Sequence, residues 1–168
     1  MEAEHYYEAK APANTQWTVI PDMGRTRSAM SLMPYTEPVA GASLTYRWKG
    51  DVKDAVNVRV ITKSTLDYLD KGGMTFTVSI DGGEPQTVNF NGNLNEKPEN
   101  IYSIYYPTVA GRVVDSQLKA VPVNASLAEH TITICPNDPA IVFEKVVIDA
   151  GGYKRSYLFM DESDYVKE

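Results

Sequence analysis

Residues 2–9, EAEHYYEA, set two glutamates either side of one alanine, next to a histidine and two tyrosines. In an extended chain Glu2, Glu4 and Tyr6 share one face and Ala3, His5 and Tyr7 the other. Carboxylates paired on one strand face repel each other unless a cation lies between them. Such a pair can ligate a metal, contact a sugar, take part in catalysis or simply face solvent. A second group, DMGRTRSAM (22–30), places Arg25 and Arg27 just after a turn-permitting Gly24. A fixed guanidinium can clamp a carboxylate through two parallel hydrogen bonds. It can equally make a structural ion pair or hold backbone carbonyls at a turn. In a third group, VVIDAGGYKR (146–155), Asp149 ends a strand beside Gly151 and Gly152. That carboxylate can hold the bend or bind a metal. Tyr153, Lys154 and Arg155 follow in an exposed loop.

No nucleophile–base–acid arrangement is legible. The histidines are His5 and His130, and there is no G-x-S-x-G, no phosphate-binding glycine loop and no H-E-x-x-H. His130 opens a strand on its apolar face and reads as structural. A glycosidase needs only two suitably spaced carboxylates, so the 22 acidic residues point to none in particular. DESD (161–164) reads as a solvated tail. The single cysteine, Cys135, excludes an internal disulfide and a cysteine-based zinc site. Its setting, TITICP, reads as a small buried strand residue.

The elements that must position these groups are strands. Met74, Phe76, Val78 and Ile80 alternate with Thr75, Thr77 and Ser79. Leu44, Tyr46 and Trp48 alternate with Thr45, Arg47 and Lys49. Val56, Val58 and Val60 form another such row, and His130, Ile132 and Ile134 a fourth. Each is a half-buried strand with one face in a core. DGGEP (81–85) is a strong hairpin signal and PNDPA (136–140) a tight turn. STLDYLDKGG (64–73) has room for one helical turn, ended by Gly72 and Gly73. Residues 91–111 read as the longest irregular region and carry Tyr102, Tyr105 and Tyr106; long loops in a compact β domain are usually functional or partly disordered. Nine or ten strands predict an all-β chain: a single domain over 1–168, built as an antiparallel β-sandwich of jelly-roll type.

A net charge of -6 argues against nucleic acid, whose binders need basic stripes, and against an anionic membrane surface. No apolar run approaches the roughly 20 residues of a membrane span. The polar, acidic first residues predict no signal peptide in this chain. Tyrosine outnumbers phenylalanine, 11 to 4. Tyrosine is preferred where one ring edge stays wet, so the excess hints at a recognition surface.

EAEHY, WTVIPDMGRTRSAMSLMP, LTYRW, FTVSIDGGEPQTVNF and the closing EHTITICPNDPAIVFEKVVIDAGGYKRSYLFMDES together resemble the C-terminal β-sandwich domain of glycoside hydrolase family 115, the xylan α-glucuronidases. The motifs keep the family's order. Met23 stands where leucine is usual, Arg27 where glycine is usual, and Phe159-Met160-Asp161 where G-P-P is usual. The resemblance implies an accessory domain of a longer enzyme whose catalytic residues lie upstream. This chain is then not expected to hydrolyse anything alone. The EAE opening and ID close also resemble carbohydrate-binding module families 6 and 35, where first-strand glutamates and a last-strand aspartate hold a structural calcium. By that likeness Glu2, Glu4 and Asp149 would bind Ca2+ if the first and last strands pair. Otherwise Glu2 and Glu4 meet Lys145 or an arginine, or face solvent.

The expected ligand is a plant cell-wall polysaccharide, glucuronoxylan above all. Sugar C–H faces stack on aromatic rings, and the candidate platforms are Trp17, Tyr102, Tyr105, Tyr106 and Tyr153. Tyr46 and Trp48 share a face with Leu44 and are expected in the core. Arg25, Lys154 and Arg155 are the candidates to receive a uronate. The expected partners are the polysaccharide and the parent catalytic domain, in a secreted or periplasmic protein. The competing reading is a structural or dimerisation domain, possible as a homodimer, that touches no sugar; a small free-standing hydrolase ranks last.

Overall fold

Strands with one apolar face need a second sheet to cover that face. The computed structural model describes residues 1–164 and shows two five-stranded antiparallel sheets. The first has the order β1 (Glu8–Lys10), β4 (Ser43–Trp48), β9 (His130–Pro136), β6 (Thr75–Ile80), β7 (Gln86–Asn89). The second has the order β2 (Gln16–Ile20), β3 (Ala29–Met33), β10 (Val142–Asp149), β5 (Ala55–Lys63), β8 (Val113–Pro122). The expected β-sandwich is therefore present.

The alternation places side chains as read. Met74, Phe76, Val78 and Ile80 are buried, as are Val56, Val58 and Val60 from the facing sheet. Phe76 sits at the centre, edge-on to Phe143 at 5.5 Å and tilted against Phe90 at 6.1 Å. Tyr46 is fully buried and satisfies its hydroxyl on the Ala3 carbonyl at 2.9 Å. Cys135 departs from expectation. Its strand is buried at His130, Ile132 and Ile134, so Cys135 falls on the outer row with Thr131 and Thr133 and is only half-buried.

The DGGEP hairpin forms as its residues dictate. Asp81 (φ 52°) and Gly82 (φ 70°) are both left-handed, and the Gly83 N–H closes the turn on the Ile80 carbonyl. Two left-handed central residues are what the right-handed twist of paired strands favours. Asp81 does a second job. Its carboxylate accepts from the His130 ring at 2.8 Å and from the Thr131 and Asn124 N–H groups. Burial pushes this carboxyl up, but the three donors outweigh that and hold it below its ordinary value. Trp48 stacks on His130 at 4.5 Å. Asp81 and His130 are 3% and 1% exposed, so the pair is closed to any substrate and is structural, as read for His130.

Helix appears elsewhere than predicted. Residues 64–73 form turns only, held by the Asp67 carboxylate, which takes the N–H groups of Lys71, Gly72 and Gly73. The segment read as irregular contains a π-helical turn, Ile101–Tyr105, running into α1 (Tyr106–Gly111). Pro107 lies in the first turn of α1, where its missing N–H costs nothing. Arg112 ends it in the left-handed conformation (φ 58°).

Two predictions follow from this packing. Phe76→Ala should cost about 3–5 kcal/mol, read as a lower urea midpoint at unchanged m-value. Asp81 has its pKa lowered on folding, so its contribution is present above the unfolded value, about pH 4, and fades as pH falls through the folded one. The melting-temperature gap between the parent protein and Asp81→Asn should therefore be full at neutral pH and close in acid.

Candidate functional site

The N-terminal segment does pair with the last strand, but in a register that defeats the expected metal site. Glu2 lies opposite Lys145 in an antiparallel bridge, and Ala3 donates to the Glu144 carbonyl. Asp149 is four residues further along β10, roughly 13 Å away at a strand's rise. Its Oδ1 accepts the N–H groups of Gly151 and Tyr153, so it holds the bend. Residues 2–9 are not one strand, since a turn follows Glu2 and β1 begins only at Glu8. Glu4 is half-buried. Among the described residues no three His, Cys, Asp or Glu side chains converge as a metal site.

The Glu2 carboxylate instead meets the Lys145 ammonium at 3.1 Å and accepts the Thr26 hydroxyl. The expected calcium ligands thus do not fit a metal: one is spent on a lysine, one holds a bend, and the set is dispersed. Glu162, expected in a solvated tail, turns inward. Its Oε1 accepts the Glu2 N–H at 2.7 Å, and its Oε2 pairs with the His5 ring at 2.8 Å. Burial raises this carboxyl, and these contacts outweigh the burial and leave it below its ordinary value.

Residues 153–162 form a strap over the outer face of the second sheet. Phe159 is buried there against Ile61 and Val113, with Val147 and Tyr153 alongside. Arg25 fastens the strap. Its guanidinium donates to the Tyr157 carbonyl at 2.7 Å and to the Gly111 carbonyl, and it lies 3.7 Å from the centre of the Tyr157 ring. The carbonyl-clamp alternative for Arg25 describes the geometry, its fork engaged by the Tyr157 and Gly111 carbonyls. Tyr153 also looks inward. The Arg59 guanidinium lies 4.4 Å from its ring centre, its hydroxyl is buried, and burial raises its phenol. Trp17 is half-buried against the core, 6.2 Å from Phe143, with its indole N–H on the Lys10 carbonyl. Lys154 and Arg155 are exposed.

Three tyrosines do form a surface. Tyr102 and Tyr106 lie four residues apart on the helical segment and meet edge-to-face at 5.8 Å; Tyr105 and Tyr106 are 5.7 Å apart. Tyr102 is 78% exposed and Tyr106 49%. A further exposed tyrosine, Tyr157, stands on the strap at 71% exposure, and nothing local in the chain marks it. Arg25 joins the two regions, because the carbonyls it takes belong to the end of α1 and to Tyr157 itself. A second exposed pair, Tyr35 and Tyr68, stands near Asp138; burial first, then these neighbours, raise the Tyr68 phenol.

The first sheet's outer face stays open and is lined with hydroxyls. Thr45 and Thr133 hydrogen-bond across strands at 3.0 Å. At its end a concavity of about 360 Å³ is lined by Val39, Ala40, Gly41, Ala42, Ser43, Thr133, Cys135, Pro136 and Asn137. Exposed rings next to polar groups can stack on the apolar face of a ligand and bond its edge.

The profile described as Glycosyl hydrolase family 115 C-terminal domain matches residues 1–162. No curated protein sequence matches the chain. Among solved structures the fold is similar to BtGH115A, described as a family GH115 4-O-methyl-alpha-glucuronidase with specificity for decorated arabinogalactans. That match has a TM-score of 0.61 and 17% identity over 85% of this chain and 17% of the other, so this chain spans a small part of that protein's length. It is also similar to CsCBM6-3 from Clostridium stercorarium in complex with cellobiose, with a TM-score of 0.53 and 18% identity over 89% and 91% of the two chains. CBM6cm-2 from Cellvibrio mixtus lichenase 5A, in complex with cellotriose, gives 0.54 and 16% over 89% and 94%. At these identities the likeness is one of fold. The profile match over nearly the whole chain places it, in agreement with its sequence motifs, in the C-terminal domain family of glycosyl hydrolase family 115.

Proposed function

We propose that this chain is a non-catalytic carbohydrate-binding domain of a secreted or periplasmic family 115 enzyme, and that its ligand is a plant cell-wall polysaccharide, glucuronoxylan first. The observation that carries this reading is a set of exposed tyrosines, Tyr102 and Tyr106 in contact on the helical segment and Tyr157 on the strap, with Arg25 against the Tyr157 ring. Exposing several large aromatic rings forgoes burial worth about 1.5–3 kcal/mol for a side chain of that size. Stacking on sugar recovers part of it. The modules that share this fold were solved with cellobiose and cellotriose bound. Arg25 is committed to backbone carbonyls, so a uronate falls to the exposed Lys154 and Arg155.

A shallow platform and a flexible glycan give weak binding, with Kd in the roughly micromolar to millimolar range. Affinity electrophoresis against glucuronoxylan, unsubstituted xylan, arabinoxylan and arabinogalactan tests it. The protein should be retarded most by glucuronoxylan. Tyr102→Ala should weaken binding to all xylans by roughly three- to tenfold, about 0.6–1.4 kcal/mol, with the melting temperature held, and Tyr157→Ala should weaken it by a similar factor. Replacing Lys154 and Arg155 together by alanine should weaken only the acidic polymer and remove its salt dependence, since exposed charges are screened over about 8–10 Å near physiological ionic strength. If no polysaccharide in the panel retards the protein, the domain is a structural or dimerising one instead.

A further inference from the structure

An oxygen cage suited to a cation lies where the N-terminal segment, β10 and the strap meet, and a side chain of the protein fills it. Lys145 is 3% exposed. Its Nζ stands 3.1 Å from Glu2 Oε1, 3.0 Å from the Leu158 carbonyl and 2.9 Å from the Met160 carbonyl. An ammonium has three N–H donors and here has three oxygen acceptors. The separations are hydrogen-bond lengths; a calcium ion draws oxygens in to about 2.3–2.6 Å and takes 6–8 of them. Around the cage the Thr26 hydroxyl donates to Glu2 Oε1, and the Glu2 N–H donates to Glu162. The acceptors are one carboxylate and two backbone carbonyls, the kind of oxygen set a hard cation binds.

We propose that Lys145 is the built-in cation of this clasp. Its ammonium joins the N-terminal segment, the central strand and the strap, the task the likeness to calcium-binding modules assigns to a metal, so the closure needs no ion from solution. The chain geometry enforces this. The antiparallel bridge sets Glu2 directly opposite Lys145, and the register irregularity of β10 between Phe143 and Lys145 turns the lysine out of the core onto the face the strap crosses. A cation tethered by its own side chain cannot be diluted or chelated away. Removing it leaves the Glu2 carboxylate buried beside two carbonyls without its ion-pair partner, which is the costly way to break a buried pair.

Melting of the whole chain with a chelator, with added Ca2+, and in Lys145→Met tests the proposal, with tryptic cleavage at the exposed Lys154 and Arg155 as a reading of strap opening. We expect the parent protein to melt at one temperature with chelator or with Ca2+. We expect Lys145→Met to melt about 10 °C lower, and its strap to be cut at least about tenfold faster as its opening becomes easier. A parent protein that loses stability to chelator and regains it with Ca2+ overturns the proposal, because a ligand that binds only the native state stabilises it. A methionine variant that melts and is cut like the parent overturns it too. The parent arm decides the matter even where Lys145→Met does not fold.

Discussion

Two opposite charges sit side by side in the central strand of one sheet, and neither can be left unpaired. Glu144 and Lys145 are 1% and 3% exposed. A buried charge without a partner costs several kcal/mol, and in practice it is paired or neutralised. Much of the molecule outside the sandwich core is arranged around this constraint. Glu144 receives the Arg25 N–H at 3.0 Å from the β2–β3 turn and the Lys63 ammonium at 3.0 Å from β5, the latter as an ion pair off the line of a hydrogen bond. Burial still raises its carboxyl above the ordinary value despite these partners. Lys145 draws in Glu2 from one side and two strap carbonyls from the other. The ends of the described chain are thus held to the middle of a sheet by these charges, beside the backbone hydrogen bonds of the N-terminal segment, Ala3 N–H to the Glu144 carbonyl and Val146 N–H to the Met1 carbonyl.

The consequence is a sandwich with two unlike faces. The second sheet is sealed by the strap, whose Phe159 fills an apolar patch over Ile61 and Val113. The first sheet keeps its threonine and serine rows open. Arg25 connects the sealed face to the exposed tyrosines, since one guanidinium takes the carbonyl that ends α1 and the carbonyl of Tyr157. A planar fork with several donors suits this bridging role better than a lysine would. Fixing the strap and presenting its tyrosine are therefore the same event, and the aromatic surface depends on the charged clasp beside it.

Legibility in the chain followed the range of the interaction. The rows Met74 to Ile80 and Val56 to Val60 were readable because alternation is a property of neighbours two apart, and it agreed with burial throughout. The Asp-Gly turn was readable because left-handed backbone restricts which residues can sit there. The helical segment at 101–111 was not, because its tyrosines, isoleucines and Pro107 carry no clear helical pattern and it is too short to nucleate alone. Tyr157 was passed over because nothing local distinguishes an exposed tyrosine from a buried one. The chain put Tyr102, Tyr105 and Tyr106 among its candidate rings, but it ranked Trp17 and Tyr153 beside them, and those two pack inward.

The sequence by itself determined the all-β architecture, the hairpin at 81–85, the core rows and, through the order of its motifs, the family. These rest on local periodicity and backbone restriction, which are the same wherever the segment lies. The tertiary structure alone decided the partners of the buried charges. Glu2 had a place near Asp149 and a partner in Lys145 both open to it, and the register set it against Lys145, four residues from Asp149. Arg25 had a clamp and a carboxylate both open to it, and the strap supplied carbonyls. Which opposite charge or carbonyl comes within 3 Å depends on register, a strand irregularity and the path of a strap more than 100 residues distant in the chain, and no local pattern encodes those.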